Sequence, residues 1–216
     1  MPFEPLSRRT LVAGLASLAA APALAATPAP ALTVQDRALV DRAAAYLEGL
    51  TEAKGRFVQT DPRGYSTQGA LYLKRPGKAR FAYDPPTGLL VVSDGGVVSI
   101  QNSRLKTFES YPLSATPLSI FLARRIRLDR GVVITRVTRR NDGFSLTARD
   151  GSRKAEGQIV LDFTDAPLTL AGWTVSDAQG QSTTVRVSNL QRASGLDSSL
   201  FVLKDPRARN VGRGKM

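Results

Sequence analysis

The spacing of apolar residues changes from helical to strand-like near Gly55. Before that point apolar residues recur every three or four positions between Leu39 and Leu50, which predicts one amphipathic helix. Thr33 is placed to cap this helix, with Asp36 in the capping-box position, and Gly55 is placed to end it. One apolar stripe of the helix is therefore expected to pack on a core.

After Gly55, apolar and polar residues alternate in short runs, which is typical of strands with one buried face. Turn signals such as Pro76-Gly77 and Asn141-Asp142-Gly143 separate the runs. A second short helix is predicted after Thr116 as cap, with Pro117 at its first position. The predicted strands are RFVQT, GALYLKR, ARFAYD, GLLVVSD, GVVSIQN, LKTFES, GVVITRVTRR, GFSLTARD, GQIVLDFT, LTLAGWTVSD and STTVRVSNLQ, and FVLKDP is a candidate for a last one.

The order of these elements favours an antiparallel meander over parallel βαβ units, because helices and strands do not alternate. A sheet of ten or eleven strands must curl or close on itself. The two helices are then expected to cover the concave apolar face that the sheet cannot bury alone. The predicted class is mainly β with α.

One hairpin places an arginine on an apolar face. A three-residue loop at Pro76-Gly77-Lys78 keeps the apolar residues of both arms on one side and puts Arg75 there with them. The pairs expected from that loop are Arg75 with Ala79, Leu73 with Phe81, and Leu71 with Tyr83. A buried guanidinium needs acceptors, and helix ends supply free carbonyls, so Arg75 is a candidate to hold a helical lid. The alternative is an arginine that reaches water from a strand end.

The N-terminal stretch SRRTLVAGLASLAAAPALA has the form of an export signal. Two arginines precede a short apolar run, and Ala23-Leu24-Ala25 fits a cleavage site. We expect a signal peptide at 1–25, a flexible lead-in at 26–32 and a single domain at 33–216, located in the periplasm. Ser7-Arg8-Arg9 resembles the twin-arginine form, although arginine pairs also occur in ordinary signals, so both export routes stay open.

Composition excludes several function classes. The chain has no Cys and no His, which removes disulfides, Ser-His-Asp triads and the usual zinc ligands. No catalytic motif is present, and the aspartates that could pair, Asp84, Asp94, Asp162 and Asp177, occupy turns and strand ends. We therefore expect no enzyme, no metal and no cofactor.

The net charge of +12 favours anionic partners, and export makes nucleic acid an unsuitable one. Seven arginines against one aspartate lie within 124–140, and the C-terminal end is also basic. This basic segment is either a solvated face or a docking patch for a membrane or protein partner.

Five motifs in order resemble the LolA family, the periplasmic carriers of outer-membrane lipoproteins. They are GRFVQT, with Phe57 and Gln59; GALYLKRPGKARFAYDPP; LVVSDGGVV; TPLSIFLA; and DAQGQSTTVRVSNL. The resemblance covers most of the chain after the signal. It implies an unclosed antiparallel β-barrel of about eleven strands, covered by a lid of short helices.

The resemblance also implies the function and its residues. In that family the arginine of the Arg-Pro hairpin, here Arg75, holds the lid closed, and acyl chains of lipoprotein cargo enter the apolar cavity. The implied partners are an inner-membrane ABC transporter complex and an outer-membrane acceptor, with the carrier itself a monomer. Residues expected to contact cargo are Leu47, Phe57, Leu71, Leu73, Phe81, Tyr83, Leu90, Val92, Leu118, Phe121 and Leu122.

Ala79 departs from the family pattern, which has a bulky aromatic residue there. A rival function is a lipid-sensing regulator of an anti-sigma factor, of the RseB kind. Such regulators share the fold and carry a further C-terminal domain, whereas we expect a single domain here, since the sequence runs only to Met216.

Overall fold

The structure is a computed structural model that describes residues 32–123, 132–151 and 156–206. The expected signal peptide, most of the lead-in, the first part of the basic segment (124–131) and the basic tail (207–216) lie outside the described residues.

Helix α1, Val34–Gly49, begins as the sequence predicts. The Thr33 hydroxyl accepts a hydrogen bond from the Asp36 backbone N–H at 3.1 Å, and the Asp36 carboxylate accepts from the Thr33 N–H at 3.2 Å. The prediction that Gly55 ends the helix is wrong. Gly55 lies inside the first strand at an irregularity in the pairing, where a Cβ would stand 3.0 Å from the carbonyl oxygen of Ser188. Close approach of a neighbouring strand therefore explains this glycine.

Eleven strands follow in chain order within the described ranges, which confirms the strand prediction. They are β1 Glu52–Thr60, β2 Ser66–Lys74, β3 Lys78–Tyr83, β4 Leu89–Asp94, β5 Val97–Asn102, β6 Thr107–Pro112, β7 Val132–Arg140, β8 Gly143–Asp150, β9 Gln158–Asp165, β10 Leu168–Ser176 and β11 Ser182–Arg192. FVLKDP forms no strand; a 3-10 helix, Ser198–Phe201, leads into it instead.

All strands belong to one antiparallel sheet, in the order β6-β5-β4-β3-β2-β1-β11-β10-β9-β8-β7. The first and last strands pair in the middle of the sheet, and β6 and β7 form its two edges. The sheet is therefore curled and unclosed, as expected. Its concave face carries a continuous apolar core to which α1 contributes Val40, Ala43 and Leu47.

Helix α2, Leu118–Leu122, is shorter than its sequence pattern predicts. Thr116 does not cap it. A 3-10 turn, Leu113–Ala115, precedes the helix directly, and the Thr116 hydroxyl donates back to the carbonyl oxygen of Leu113 at 2.9 Å. The hydroxyl is thus used by the preceding turn and is not available to the helix.

The β2–β3 hairpin has a register two residues away from the predicted one. Lys74 pairs with Lys78 and Leu73 with Ala79, so that the loop is 75–77 and Arg75 lies in the turn. A slip of two residues leaves every side chain on its face, so the apolar pattern could not detect it. Ala79 therefore neighbours Leu73, and the predicted pairing of Ala79 with Arg75 is wrong.

Candidate functional site

Arg75 joins both helices to the end of the sheet. Its guanidinium donates one hydrogen bond to the carbonyl oxygen of Leu47 in the last turn of α1, and another, at 2.5 Å, to that of Ala123 directly after α2. Both acceptors lie at helix C-termini, where carbonyls lack partners within the helix. Burial lowers the pKa of the Arg75 guanidinium, and nearby Glu48 opposes this shift. An arginine nevertheless remains charged at neutral pH.

The same turn holds α2 through a second contact. The Gly77 N–H donates to the carbonyl oxygen of Leu122 at 2.8 Å. The carbonyl of Gly77 accepts a hydrogen bond at 2.6 Å from the hydroxyl of Ser93, which is only 3% exposed. Gly77 has φ = +77°, and a Cβ there would stand 2.6 Å from the Cα of Gly95. Ser93 thus anchors the carbonyl of Gly77, whose conformation favours glycine, and the N–H of the same residue holds the end of α2.

The two helices fill the concave face with their own side chains. Phe121 of α2 stacks on Trp173 of β10, with ring centroids 5.1 Å apart and planes inclined by 27°. Phe81 meets the same indole edge-on at 6.0 Å. Leu47 and Leu122 are each 1% exposed. An apolar ligand on this face must therefore displace α1 or α2.

A second aromatic group lies farther along the same face. Phe57 makes edge-to-face contacts with Phe81 at 5.4 Å and with Tyr83 at 4.9 Å. The Tyr83 hydroxyl donates to the side-chain carbonyl of Gln59 at 2.6 Å. Burial raises the pKa of Tyr83 to about 12. Gly69 pairs with both Phe57 and Tyr83, and a Cβ there would stand 2.2 Å from the carbonyl oxygen of Ala82 and 2.8 Å from the Phe57 ring.

The structure brings most of the residues expected at the site to this face. The wall holds Phe57, Leu71, Leu73 and Phe81, all buried, with Tyr83 half-buried; the helices contribute Leu47, Phe121 and Leu122, all buried, and Leu118, half-buried.

Two residues expected in the wall, Leu90 and Val92, do not lie on the concave face. Phe81 pairs with Val91, so Leu90 and Val92 share the opposite, convex face with Ala82 and Arg80. The 3-10 helix Ser198–Phe201 packs there, and Arg80 donates to the carbonyl oxygen of Leu200 at 2.9 Å. Because β4 is covered on both sides, its apolar residues do not alternate.

Sequence reasoning missed three residues of the site: Trp173, Val91 and Ser93. Strand alternation would have placed Trp173 on the face of Val175 in LTLAGWTVSD, since side chains two apart share a face. No such signal exists for Ser93, whose partner is a backbone carbonyl across a turn.

The aspartates considered for catalysis have other tasks. Asp84 forms a charged pair with Arg56, and this pairing lowers the pKa of Asp84. Asp94 accepts from the N–H groups of Gly96 and Val97, and Asp177 accepts from those of Gln179 and Gln181, as turn aspartates do. Asp162 pairs with Arg140 and Ser145.

Within the described ranges, no cluster of three or more acidic residues has the arrangement that a metal ion needs. Across those same ranges, none of the helices has both the length and the apolar character required to traverse a bilayer.

The family model described as outer membrane lipoprotein carrier protein LolA matches residues 48–204. An outer-membrane lipoprotein carrier protein of Chromohalobacter salexigens is 27% identical over 202 residues, which cover 88% of this chain and 95% of that protein. The protein of the same description from Methylobacillus flagellatus is 28% identical over 165 residues, covering 72% and 78%.

The fold also has a counterpart among solved structures. A crystal structure described as that of an outer membrane lipoprotein-sorting protein domain from Vibrio parahaemolyticus superposes with a TM-score of 0.50. It covers 75% of this chain and 94% of that one at 14% identity. At this identity the likeness concerns the fold alone.

Proposed function

Because the chain belongs to the LolA family of outer membrane lipoprotein carriers, we propose that it binds the acyl chains of lipoproteins beneath its helical lid and carries them from the inner to the outer membrane. The observation that carries this proposal is the contact of Arg75 with both helices above an apolar face. In this state the protein's own side chains occupy the place that acyl chains would take.

The energy of acyl-chain burial explains why the protein's own side chains must compete with cargo for this face. Burial of an acyl chain stabilises a complex by about 0.8 kcal/mol for each CH₂ group. A permanently open cavity would hold a diacylated cargo too tightly for release. Here, cargo entry has to break the Arg75 hydrogen bonds and separate Phe121 from Trp173, so that lid closure offsets much of the gain. Arg75 thus serves as the latch of a lid that closes when cargo leaves.

The proposal assigns no chemical step to the protein: it is a carrier and not an enzyme. The cargo wall consists of Phe57, Leu71, Leu73, Phe81 and Tyr83, and the displaced groups are Leu47, Leu118, Phe121 and Leu122. Cargo arrives from an inner-membrane ABC transporter complex and is passed to an outer-membrane acceptor, with the protein acting in the periplasm as a monomer. The match of the carrier family favours this function over the anti-sigma regulator.

Isolation of the protein from the periplasm, followed by mass spectrometry of the bound material, tests the proposal. We expect lipoproteins that carry their acyl chains. A cargo whose lipidated cysteine is replaced by serine serves as the matched control and should not co-purify. Recovery of an anti-sigma factor, or of no lipidated protein, would contradict the carrier function.

A further inference from the structure

Three hairpin turns lie side by side at one end of the sheet: 61–65 between β1 and β2, 84–88 between β3 and β4, and 103–106 between β5 and β6. Strand pairing brings the three turns to the same end of the sheet, because Gly69 lies opposite Tyr83 and Leu89 lies opposite Asn102. We call this end the turn rim. It lies opposite the end that carries Arg75, and the proposed function assigns nothing to it.

The turn rim exposes two large apolar side chains, each beside a cation. Tyr65 is 71% exposed and follows Arg63 by two positions; Leu105 is 72% exposed and lies between Arg104 and Lys106. Of the large apolar side chains exposed in the described part of the chain, only that of Val34, at the start of α1, is more exposed. Isolated exposed apolar residues are ordinary, but here two lie at turns on the same end of the sheet, each with cationic flanks.

Hydrogen bonds hold Leu105 in this outward position. The Asn102 side chain accepts from the N–H groups of Arg104 and Leu105, both at 3.0 Å. The Arg104 guanidinium donates to the carbonyl oxygen of Pro86 at 2.8 Å and so ties this tip to the neighbouring turn. Lys106 completes the turn with φ = +55°. These contacts fix the backbone of the tip, from which the exposed Leu105 side chain projects.

The acidic residues of the turn rim are already engaged. Asp61 accepts from the N–H groups of Arg63 and Tyr65, both at 2.9 Å, and Asp84 is paired with Arg56. Asp61 keeps its charge and offsets Arg63, while Arg56 offsets Asp84, so Arg104 and Lys106 give this end a net positive charge.

We infer that the turn rim is a docking surface for an anionic lipid bilayer. Tyr65 and Leu105 project from hairpins four strand spacings apart, or about 19 Å. Such separated tips suit a planar boundary better than a single protein pocket. Their side chains match the headgroup region, where an apolar body enters and flanking Lys and Arg meet lipid phosphates. This inference does not depend on cargo binding.

Co-sedimentation with lipid vesicles tests the inference. Cargo-free protein is mixed with vesicles of phosphatidylethanolamine and phosphatidylglycerol, and with phosphatidylcholine alone. We expect binding to the anionic vesicles that weakens with added salt. The double variant Tyr65→Ser/Leu105→Ser should lose about tenfold in partitioning, since both side chains would bury apolar area. Val202→Ser, another exposed apolar position at 53%, is the matched control and should bind like the wild type.

A wild-type protein that ignores anionic vesicles would overturn the inference. So would a double variant that binds as well as the wild type, because charge alone would then explain the binding. Capture of an acidic periplasmic protein by the wild type but not by the double variant, without vesicle binding, would assign the turn rim to a protein partner instead. None of these results bears on whether acyl-chain cargo co-purifies, so the carrier proposal is tested separately.

Discussion

Phe121 stacks on Trp173 at 5.1 Å, so the lid helix α2 places its own aromatic ring on the wall of the concave face. The indole is therefore shared between the closed lid and any ligand that replaces it. Both residues are almost fully buried, at 0% and 2% exposure.

Phe121→Ala should detach α2 without unfolding the sheet. Burial of a phenylalanine is worth about 3–5 kcal/mol in a core, but separation of the lid limits this loss. We expect increased binding of an apolar fluorescent probe and a small decrease in melting temperature. Phe201→Ala is the matched control, since Phe201 is 1% exposed on the convex side. It should lower the melting temperature without additional probe binding; equal probe binding by both variants would contradict the assignment.

Arg75→Leu should keep the fold but impair cargo handling, because leucine cannot donate the two hydrogen bonds to the carbonyls of Leu47 and Ala123. The expected result is loading of cargo without efficient release, or poor loading, in a reconstituted lipoprotein transfer assay. Arg80→Leu removes an arginine from the same hairpin whose hydrogen bond to Leu200 lies on the convex face. It should transfer cargo normally, and transfer at the wild-type rate by Arg75→Leu would remove the basis for a latch.

Ser93→Ala should loosen the second contact of the lid. The Gly77 carbonyl would lose its buried donor, at a cost of about 1–2 kcal/mol, and the Gly77 N–H would hold Leu122 less firmly. Hydrogen exchange at the Gly77 amide should therefore become faster. Ser99→Ala, which removes only a hydroxyl contact with Ser110 on the sheet, is the control. Unchanged exchange at Gly77 in Ser93→Ala would show that the serine does not position this turn.

Tyr83 should make the protein sensitive to alkali. Its pKa is raised to about 12 in the folded state, against about 10 in the unfolded chain. The stabilisation from the neutral phenol is complete below pH 10 and is lost as the pH rises toward 12, because the unfolded chain ionises first. Over this range the unfolding free energy of the wild type should fall by roughly 2 kcal/mol relative to that of Tyr83→Phe.

Denaturant titrations between pH 9 and 12 measure this difference. Tyr65→Phe changes an exposed tyrosine and provides the comparison. Parallel curves for wild type and Tyr83→Phe across the range would contradict the role given to burial.

Most of the strands could be predicted from the sequence, because one face of each packs on the core and the other does not. The alternation of apolar and polar side chains shows this directly. Strand β4 shows the limit. Its four consecutive apolar residues, Leu89 to Val92, are covered on both faces, by the core and by Ser198–Phe201. No local pattern can then tell which pair lines the cavity, and the choice of Leu90 and Val92 failed for this reason.

The register of the β2–β3 hairpin shows a second limit. Turn length and backbone contacts set it, through the Gly77 hydrogen bond to Leu122 and the close approach to Gly95. These partners are distant in sequence or belong to the backbone. By contrast, the placement of Arg75 on the side of the helices followed from alternation and from the chemistry of a guanidinium.

The pairing of β1 with β11 has a consequence for how the chain acquires its structure. Thr60 lies opposite Thr184, so the centre of the sheet consists of the first and last strands. Because a chain is synthesised from the N-terminus onward, the β1–β6 meander can form early. The central pairing of β1 with β11 cannot form until β11 is available. Such long-range closure makes folding slow. The nascent protein therefore spends its growth with one side of β1 unpaired, the period when a chaperone that protects strand edges would matter most.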